Sequence, residues 1–135
     1  KGLFVPFINK YKPDVLCLQE TKAFQHQHEV DLPDYEEYWN SATRPGYSGT
    51  AIFSRKKPMA IFSGLPEKIA AEYGLKDDGY GNPNKEGRVI MAEFAKLFVV
   101  SVYTPNAKDD LSRITLRHKQ WDPSFIDYMR FLEKT

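Results

Sequence analysis

The stretch Asp14-Val15-Leu16-Cys17-Leu18-Gln19-Glu20-Thr21-Lys22 decides the reading of the fold. A short apolar run bounded by polar residues reads as a strand, here over Asp14 to Gln19. Its apolar residues are continuous and do not alternate, which predicts burial on both faces of a central sheet. The strand then presents Glu20 and Lys22 side by side. A carboxylate at a strand end can hold a hard divalent cation, and an ammonium two positions on can meet a phosphate.

Working outward, Leu3, Phe7, Ile8 and Tyr11 recur at helical spacing, with Pro6 near the start where its missing N–H does least harm. Lys12-Pro13-Asp14 stops that helix, because a residue before proline is pushed out of the helical region. Ala23 to Pro33 is polar and reads as a short helix or loop. Tyr35 to Asn40 reads as an aromatic-rich strand. Arg44-Pro45-Gly46-Tyr47-Ser48-Gly49 is turn chemistry. Thr50 to Ser54 and Met59 to Ser63 read as strands joined hairpin-fashion by Arg55-Lys56-Lys57-Pro58. Gly64 to Gly87 is a long polar connection with a helical turn around Glu67 to Tyr73, and connections of that length are often functional. Arg88 to Phe94 and Leu97 to Tyr103 are strands about a tight Ala95-Lys96 turn. From Arg113 onward, Trp121, Phe125, Tyr128 or Met129, and Leu132 mark one helix face. Either Asp122 caps a second helix with Pro123 at its first position, or the helix kinks there. The order of elements fits an α/β layered fold without repeats or linkers.

Composition bounds the class. The 135 residues suit one domain or a large part of one, and 41% hydrophobic with 14% aromatic residues is enough for a packed core. A net charge of +1 and a pI of about 8.0 exclude a strongly basic nucleic-acid binder, so any DNA contact rests on locally placed cations. The single cysteine, Cys17, excludes an internal disulfide and reads as a small core residue. No long apolar stretch and no signal-peptide pattern is present, which predicts a soluble intracellular protein. Both ends, Lys1 and Thr135, look cut. His26 and His28 form a His-Gln-His pair, read as exposed loop residues for want of a third ligand.

Three motifs stand in order: Leu18-Gln19-Glu20-Thr21-Lys22, Gly46-Tyr47-Ser48-Gly49 and Val102-Tyr103-Thr104-Pro105-Asn106. Glu86-Gly87-Arg88-Val89 lies between the last two, and Arg113, Arg117 and Trp121 follow. In this order the set closely resembles the exonuclease III / apurinic-apyrimidinic endonuclease family of the endonuclease/exonuclease/phosphatase superfamily. The Gln-Glu-Thr element is shared widely in that superfamily. The Gly-Tyr-Ser-Gly and Tyr-Thr-Pro-Asn elements are more specific to its DNA-repair branch, and the last is common in bacterial members.

The resemblance implies a four-layer α/β sandwich, two packed mixed β-sheets flanked by helices, incomplete in this chain. It implies Glu20 as metal ligand for Mg²⁺, with Mn²⁺ as an alternative, and Lys22 facing substrate phosphate. Tyr103 matches the active-site tyrosine, where a phenol can donate to a phosphate oxygen as charge grows. Asn106 matches a phosphate-contacting asparagine presented by Pro105. Tyr47, between two glycines that let the backbone approach a ligand, matches a loop that touches the DNA backbone and is expected in the open. Arg88 either reaches phosphate or braces the sheet. Arg113 and Arg117, four apart and without an obvious acidic partner, read as a DNA neighbour and a structural residue respectively.

The implied reaction is Mg²⁺-dependent hydrolysis of a DNA phosphodiester, on the 5′ side of an abasic site or by 3′-to-5′ trimming. The partner is duplex DNA with an abasic site or a 3′ end, bound through its backbone by a monomer that does not engage membrane, in the cytoplasm of a bacterium or a eukaryotic nucleus. The family also draws on an upstream Asn, a later Asp-x-Asn strand end and an Asp-His pair, none of which has a counterpart here. The chain therefore reads as a partial domain, roughly the first half, with little or no turnover alone. Other superfamily phosphodiesterases or phosphatases share Gln19-Glu20, and the two more specific motifs argue against them. A non-catalytic DNA-binding module is the remaining alternative.

Overall fold

A computed structural model describes residues 2–27, 30 and 32–135. The chain runs α1 (Phe4–Tyr11), β1 (Val15–Gln19), β2 (Glu36–Asn40), β3 (Thr50–Ser54), β4 (Ala60–Ser63), α2 (Glu67–Glu72), β5 (Val89–Phe94) and β6 (Leu97–Val102). A helical run closes it: α3 (Ile114–Leu116), a π-turn (Arg117–Trp121) and α4 (Asp122–Glu133). The strands form two three-stranded sheets, ordered β1-β3-β2 and β4-β5-β6. All four ladders among the described residues are antiparallel, so the mixed pairing expected is not present in these six strands.

Strand periodicity explains the layers, because successive side chains point to opposite faces. Ala51 and Phe53 of β3 face a core with Ile8, Leu16, Leu18 and Trp39, beneath α1. Ile52 faces the other way and meets Ile90 and Ala92 of β5, with Val15 and Cys17 alongside, between the sheets. Val89 and Met91 of β5 face a third core with Trp121, Tyr128 and Leu132 beneath α2 and α4. Helix, sheet, sheet and helix therefore stack as four layers.

Two sequence readings need correction. The β1 run does serve two cores at once, Leu16 and Leu18 on one side and Val15 and Cys17 on the other. It lies at the edge of its sheet, however, and β3 is the central strand, buried throughout. Thr50–Ser54 and Ala60–Ser63 do not form a hairpin. Both edges of β3 are taken, by β1 and β2, so the chain crosses to the other sheet and β4 pairs with β5. The turn at Ala95-Lys96 is as expected, with Phe94 opposite Leu97.

The last helix carries on through Pro123. Proline lacks an N–H and its ring collides with the carbonyl four residues back in a regular α-helix. The backbone widens into the π-turn just before it, and Asp122 caps no separate helix. His26 is exposed in a 3₁₀ turn (Gln25–Gln27), stacked with Phe24 at 5.7 Å, and His28 lies outside the described residues.

Candidate active site

The site is assembled where β1 and β6, strands of different sheets, end side by side. Gln19 Nε2 donates to Ser101 Oγ at 2.9 Å, and Ser101 Oγ sits 3.4 Å from the Leu18 carbonyl. One step further on, the Tyr103 hydroxyl donates to Glu20 Oε1. On the other oxygen of the same carboxylate, Oε2, the Lys22 ammonium lies at 3.4 Å.

Glu20 and Lys22 both hold left-handed backbone, with φ of 54° and 51°. Such angles disfavour non-glycine residues by roughly 1–2 kcal/mol each and persist only where the surroundings impose them. Here the facing loop does so. The Thr21 N–H donates to the Gly49 carbonyl at 3.3 Å and the Lys22 N–H to the Ser48 carbonyl at 2.8 Å, extending the β1–β3 ladder past its end. Gly49 is required for this approach. Its own φ is +91°, and a Cβ there would sit 2.2 Å from Thr21 Oγ1.

The charges shift the two partners in opposite senses. The Tyr103 phenol, then Lys22, hold the Glu20 carboxyl below its ordinary range. The Glu20 carboxylate, with partial burial, pushes the Tyr103 phenol above its ordinary value. Tyr103 is therefore a protonated hydrogen-bond donor at neutral pH, and Glu20 an ionised acceptor.

Behind this pair lies a buried ionic network. Arg88, 2% exposed, gives Nε to Glu86 Oε2 at 2.5 Å, Nη1 to the Tyr103 carbonyl at 3.2 Å and Nη2 to the Tyr47 hydroxyl at 3.0 Å. Its Cζ also lies 5.1 Å from the Tyr103 ring centroid. Arg113, also 2% exposed, pairs with Asp78 Oδ2 at 2.7 Å and Glu86 Oε1 at 3.3 Å, and reaches the Tyr47 hydroxyl at 3.4 Å.

Three expectations change accordingly. Arg113 has two acidic partners, and neither guanidinium faces solvent, so the DNA contact expected of Arg113 and the phosphate contact weighed for Arg88 are not surfaces of this structure. Arg88 is placed as a brace. Tyr47 is half-buried, its hydroxyl turned inward to both guanidiniums and its ring beside Arg44 and Arg88. Glu86 and Asp78 carry this network, and sequence reasoning assigned them no role. Glu86 stood in a quoted motif two residues before Arg88, whereas Asp78 gave no local signal. Asn106 is exposed on the turn beyond Tyr103, its Oδ1 accepting the Lys108 N–H at 2.7 Å. Arg117 reaches the Pro105 carbonyl at 3.1 Å and pairs with Asp122, so it too has an acidic partner.

Among the described residues Glu20 is the one carboxylate that Tyr103 and Lys22 converge on, its side chain 48% exposed. Among the described residues no three His, Cys, Asp or Glu side chains cluster, so no cage of protein ligands is built here. Magnesium needs none: it takes one or two carboxylates and keeps water and substrate phosphate in its other positions. The donor set fits that role, and the Lys22 ammonium already marks where a cation is favoured.

The architecture and the site define the class. The Endonuclease/Exonuclease/phosphatase family profile matches residues 2–126, and the chain belongs to that family. It is 37% identical to the exodeoxyribonuclease of Bacillus subtilis (strain 168) over 131 residues, covering 97% of this chain and 46% of that protein. It is 38% identical to the DNA repair nuclease APEX1 of Danio rerio over 128 residues, covering 91% of this chain and 37% of that one. The chain thus spans less than half the length of these relatives. A solved 3′-5′ exonuclease from Neisseria meningitidis shares the fold with a TM-score of 0.68 at 22% identity, over 98% of this chain and 47% of that one. No helix among the described residues is long and apolar enough to cross a membrane.

Proposed function

We propose that this chain supplies one side of the active site of a Mg²⁺- or Mn²⁺-dependent DNA repair nuclease. The nuclease hydrolyses phosphodiesters at abasic sites or 3′ ends of duplex DNA as a monomer, in the cytoplasm or nucleus. The observation that carries the reading is the hydrogen bond from Tyr103 to Glu20 across the two sheet ends, with Lys22 on the second carboxylate oxygen. The relatives' names, exodeoxyribonuclease and DNA repair nuclease, support it.

Glu20 would hold the metal. Bound there, the ion would neutralise phosphate charge and stabilise the leaving oxygen. Tyr103, kept protonated, donates to Glu20 at rest and presents the same hydroxyl to a phosphate oxygen as charge develops on it. Lys22 and Asn106 meet the DNA backbone as solvent-exposed groups. Tyr47 offers the exposed part of its ring there. Arg88 and Arg113 support it from beneath. Activation of the attacking water needs a base that none of these residues provides, so turnover by these 135 residues alone is expected to be negligible.

The test measures binding and turnover separately. Mn²⁺ should broaden the NMR signals around Glu20, and that broadening should vanish in Glu20→Gln. Abasic duplex should bind better than an inositol phosphate, with an affinity that falls with salt. Binding of Mn²⁺ elsewhere, or a preference for the inositol phosphate, overturns the reading. Turnover on abasic duplex that Glu20→Ala abolishes would refute the expected inactivity of the chain alone.

A further inference from the structure

The π-turn at Arg117–Trp121 needs a reason, since π-helical turns are rare and concentrate at functional sites. Its closing hydrogen bond runs from the Asp122 N–H to the Arg117 carbonyl. The side chains of the same two residues meet in a two-point pair, Arg117 Nε to Asp122 Oδ1 at 3.0 Å and Nη2 to Oδ2 at 3.3 Å. In an α-helix, residues five apart lie about 140° from each other around the axis and do not face one another. The wider turn brings residue i+5 round towards the side of residue i and makes the pair available.

The pair fixes the guanidinium plane, and the remaining nitrogen has one target. Arg117 Nη1 donates to the Pro105 carbonyl at 3.1 Å, one residue before Asn106. Arg88 holds the Tyr103 carbonyl in the same way at 3.2 Å. Two guanidiniums from different elements thus grip alternate carbonyls of the segment that carries both Tyr103 and Asn106. Planar, charge-assisted donors of this kind fix direction as well as distance.

We infer that Arg117, oriented by the π-turn and Asp122, is a positioning residue that sets the Tyr103–Asn106 turn. Its functional consequence rests on the phosphate-facing role proposed for Asn106, whereas the positioning itself does not.

The Lys108 amide is the reporter, because it donates to the Asn106 side chain at 2.7 Å. Hydrogen exchange is read by NMR on the whole 135-residue chain. In Arg117→Ala, Lys108 exchange should accelerate by about tenfold. The Tyr103 amide, bonded to the Arg88 carbonyl at 2.7 Å, and the amides of α4 should stay within about twofold. Asp122→Asn should move Lys108 in the same direction. Arg130→Ala, which removes only an exposed pair with Asp127 on the same helix, should not. An unchanged Lys108, or equal acceleration there and along α4, overturns the inference in favour of a merely structural arginine.

A binding cycle tests the consequence. Arg117→Ala should weaken abasic-duplex binding by about tenfold in the parent chain and by less than about twofold beside Asn106→Ala. Additive losses overturn action through Asn106. A parent chain that binds no DNA refutes the functional proposal and leaves the exchange measurement to decide the positioning.

Discussion

Glu86→Ala is the sharpest test of how the site is held. Glu86 is 5% exposed and stands between two guanidiniums that are each 2% exposed. Among the described residues it is the one carboxylate paired with Arg88, at 2.5 Å, while Arg113 also has Asp78 at 2.7 Å. Removing Glu86 leaves the Arg88 charge buried with the Tyr103 carbonyl and the Tyr47 hydroxyl as neutral partners. Breaking one side of a buried pair costs about 3–5 kcal/mol, because the stranded charge has lost its compensation. In a domain of this size each kcal/mol moves Tm by about 3–5 °C, so a fall of about 9–25 °C is expected. Urea unfolding followed by circular dichroism gives the difference directly, provided the slope is unchanged. Asp78→Asn should cost less, since Asp78 is partly exposed and Arg113 keeps Glu86. Glu86→Leu combined with Arg88→Met removes both charges and should recover at least half of the loss. A cost below about 1 kcal/mol for Glu86→Ala, or no recovery in the double variant, would show that the network is not a desolvated ion pair and would refute the reasoning.

Three further outcomes follow from the site. The folded-state value of Glu20 is depressed, so its contribution to stability is present above the unfolded carboxylate value of about 4.3 and is lost as pH falls through the folded value. Tyr103→Phe removes the largest cause, so the Glu20 midpoint in a ¹³C carboxyl titration should rise and the acid loss attributable to it should shrink; a midpoint that stays put contradicts the hydrogen bond. Lys22→Met removes a cation 3.4 Å from Glu20 Oε2 and should raise Mn²⁺ affinity by about three- to tenfold in an EPR titration, while weakening DNA binding; weaker Mn²⁺ binding would mean that Lys22 does not compete for that oxygen. Gly87→Ala places a Cβ 2.4 Å from the Asn40 carbonyl oxygen and 2.7 Å from the Ala42 nitrogen, at φ +66°, and should cost at least about 3 kcal/mol in urea, against about 1 kcal/mol for Gly46→Ala, which meets nothing within 4 Å.

Local chemistry made the elements legible and left their partners hidden. The apolar run after Asp14, the Ala95-Lys96 turn and the Trp121–Leu132 spacing each fix an element from its own residues, and each appears within a residue or so of its expected bounds. Pairing is another matter. Nothing in Arg55-Lys56-Lys57-Pro58 announces that β3 already has a neighbour on both edges, so a hairpin was the natural reading of a crossing between sheets. The partners of Arg113 lie 35 and 27 residues upstream, in a connection whose sequence is polar and unpatterned. An arginine judged by its helical neighbours alone looks unpaired and therefore available for DNA. Pro123 signalled a disturbance, yet whether a helix stops, kinks or widens is not written in its own residues; here it widens, and the Arg117 side chain on the widened turn meets Pro105 and Asp122.

The Glu20–Tyr103 bond spans 83 positions, and its legibility came from the order of motifs. The fold supplies the physical reason such distant motifs converge. Gln19 and Ser101 bond between the sheets one step before, Cys17 packs in the same inter-sheet core as Ile52 and Ile90, and β1 and β6 touch along their ends. Glu20 and Tyr103 form the last rung of that row, so their separation is set by how two close-packed sheets fit together. A loop could bring a phenol near a carboxylate, but it would not hold two residues at positive φ against the Gly49 backbone while doing so. The strain at Glu20 and Lys22, the close approach allowed by Gly49 and the buried arginine brace behind Tyr103 therefore act together. They hold a carboxylate that is half exposed to solvent and hydrogen-bonded on its inner side, the geometry on which the metal role proposed for Glu20 rests.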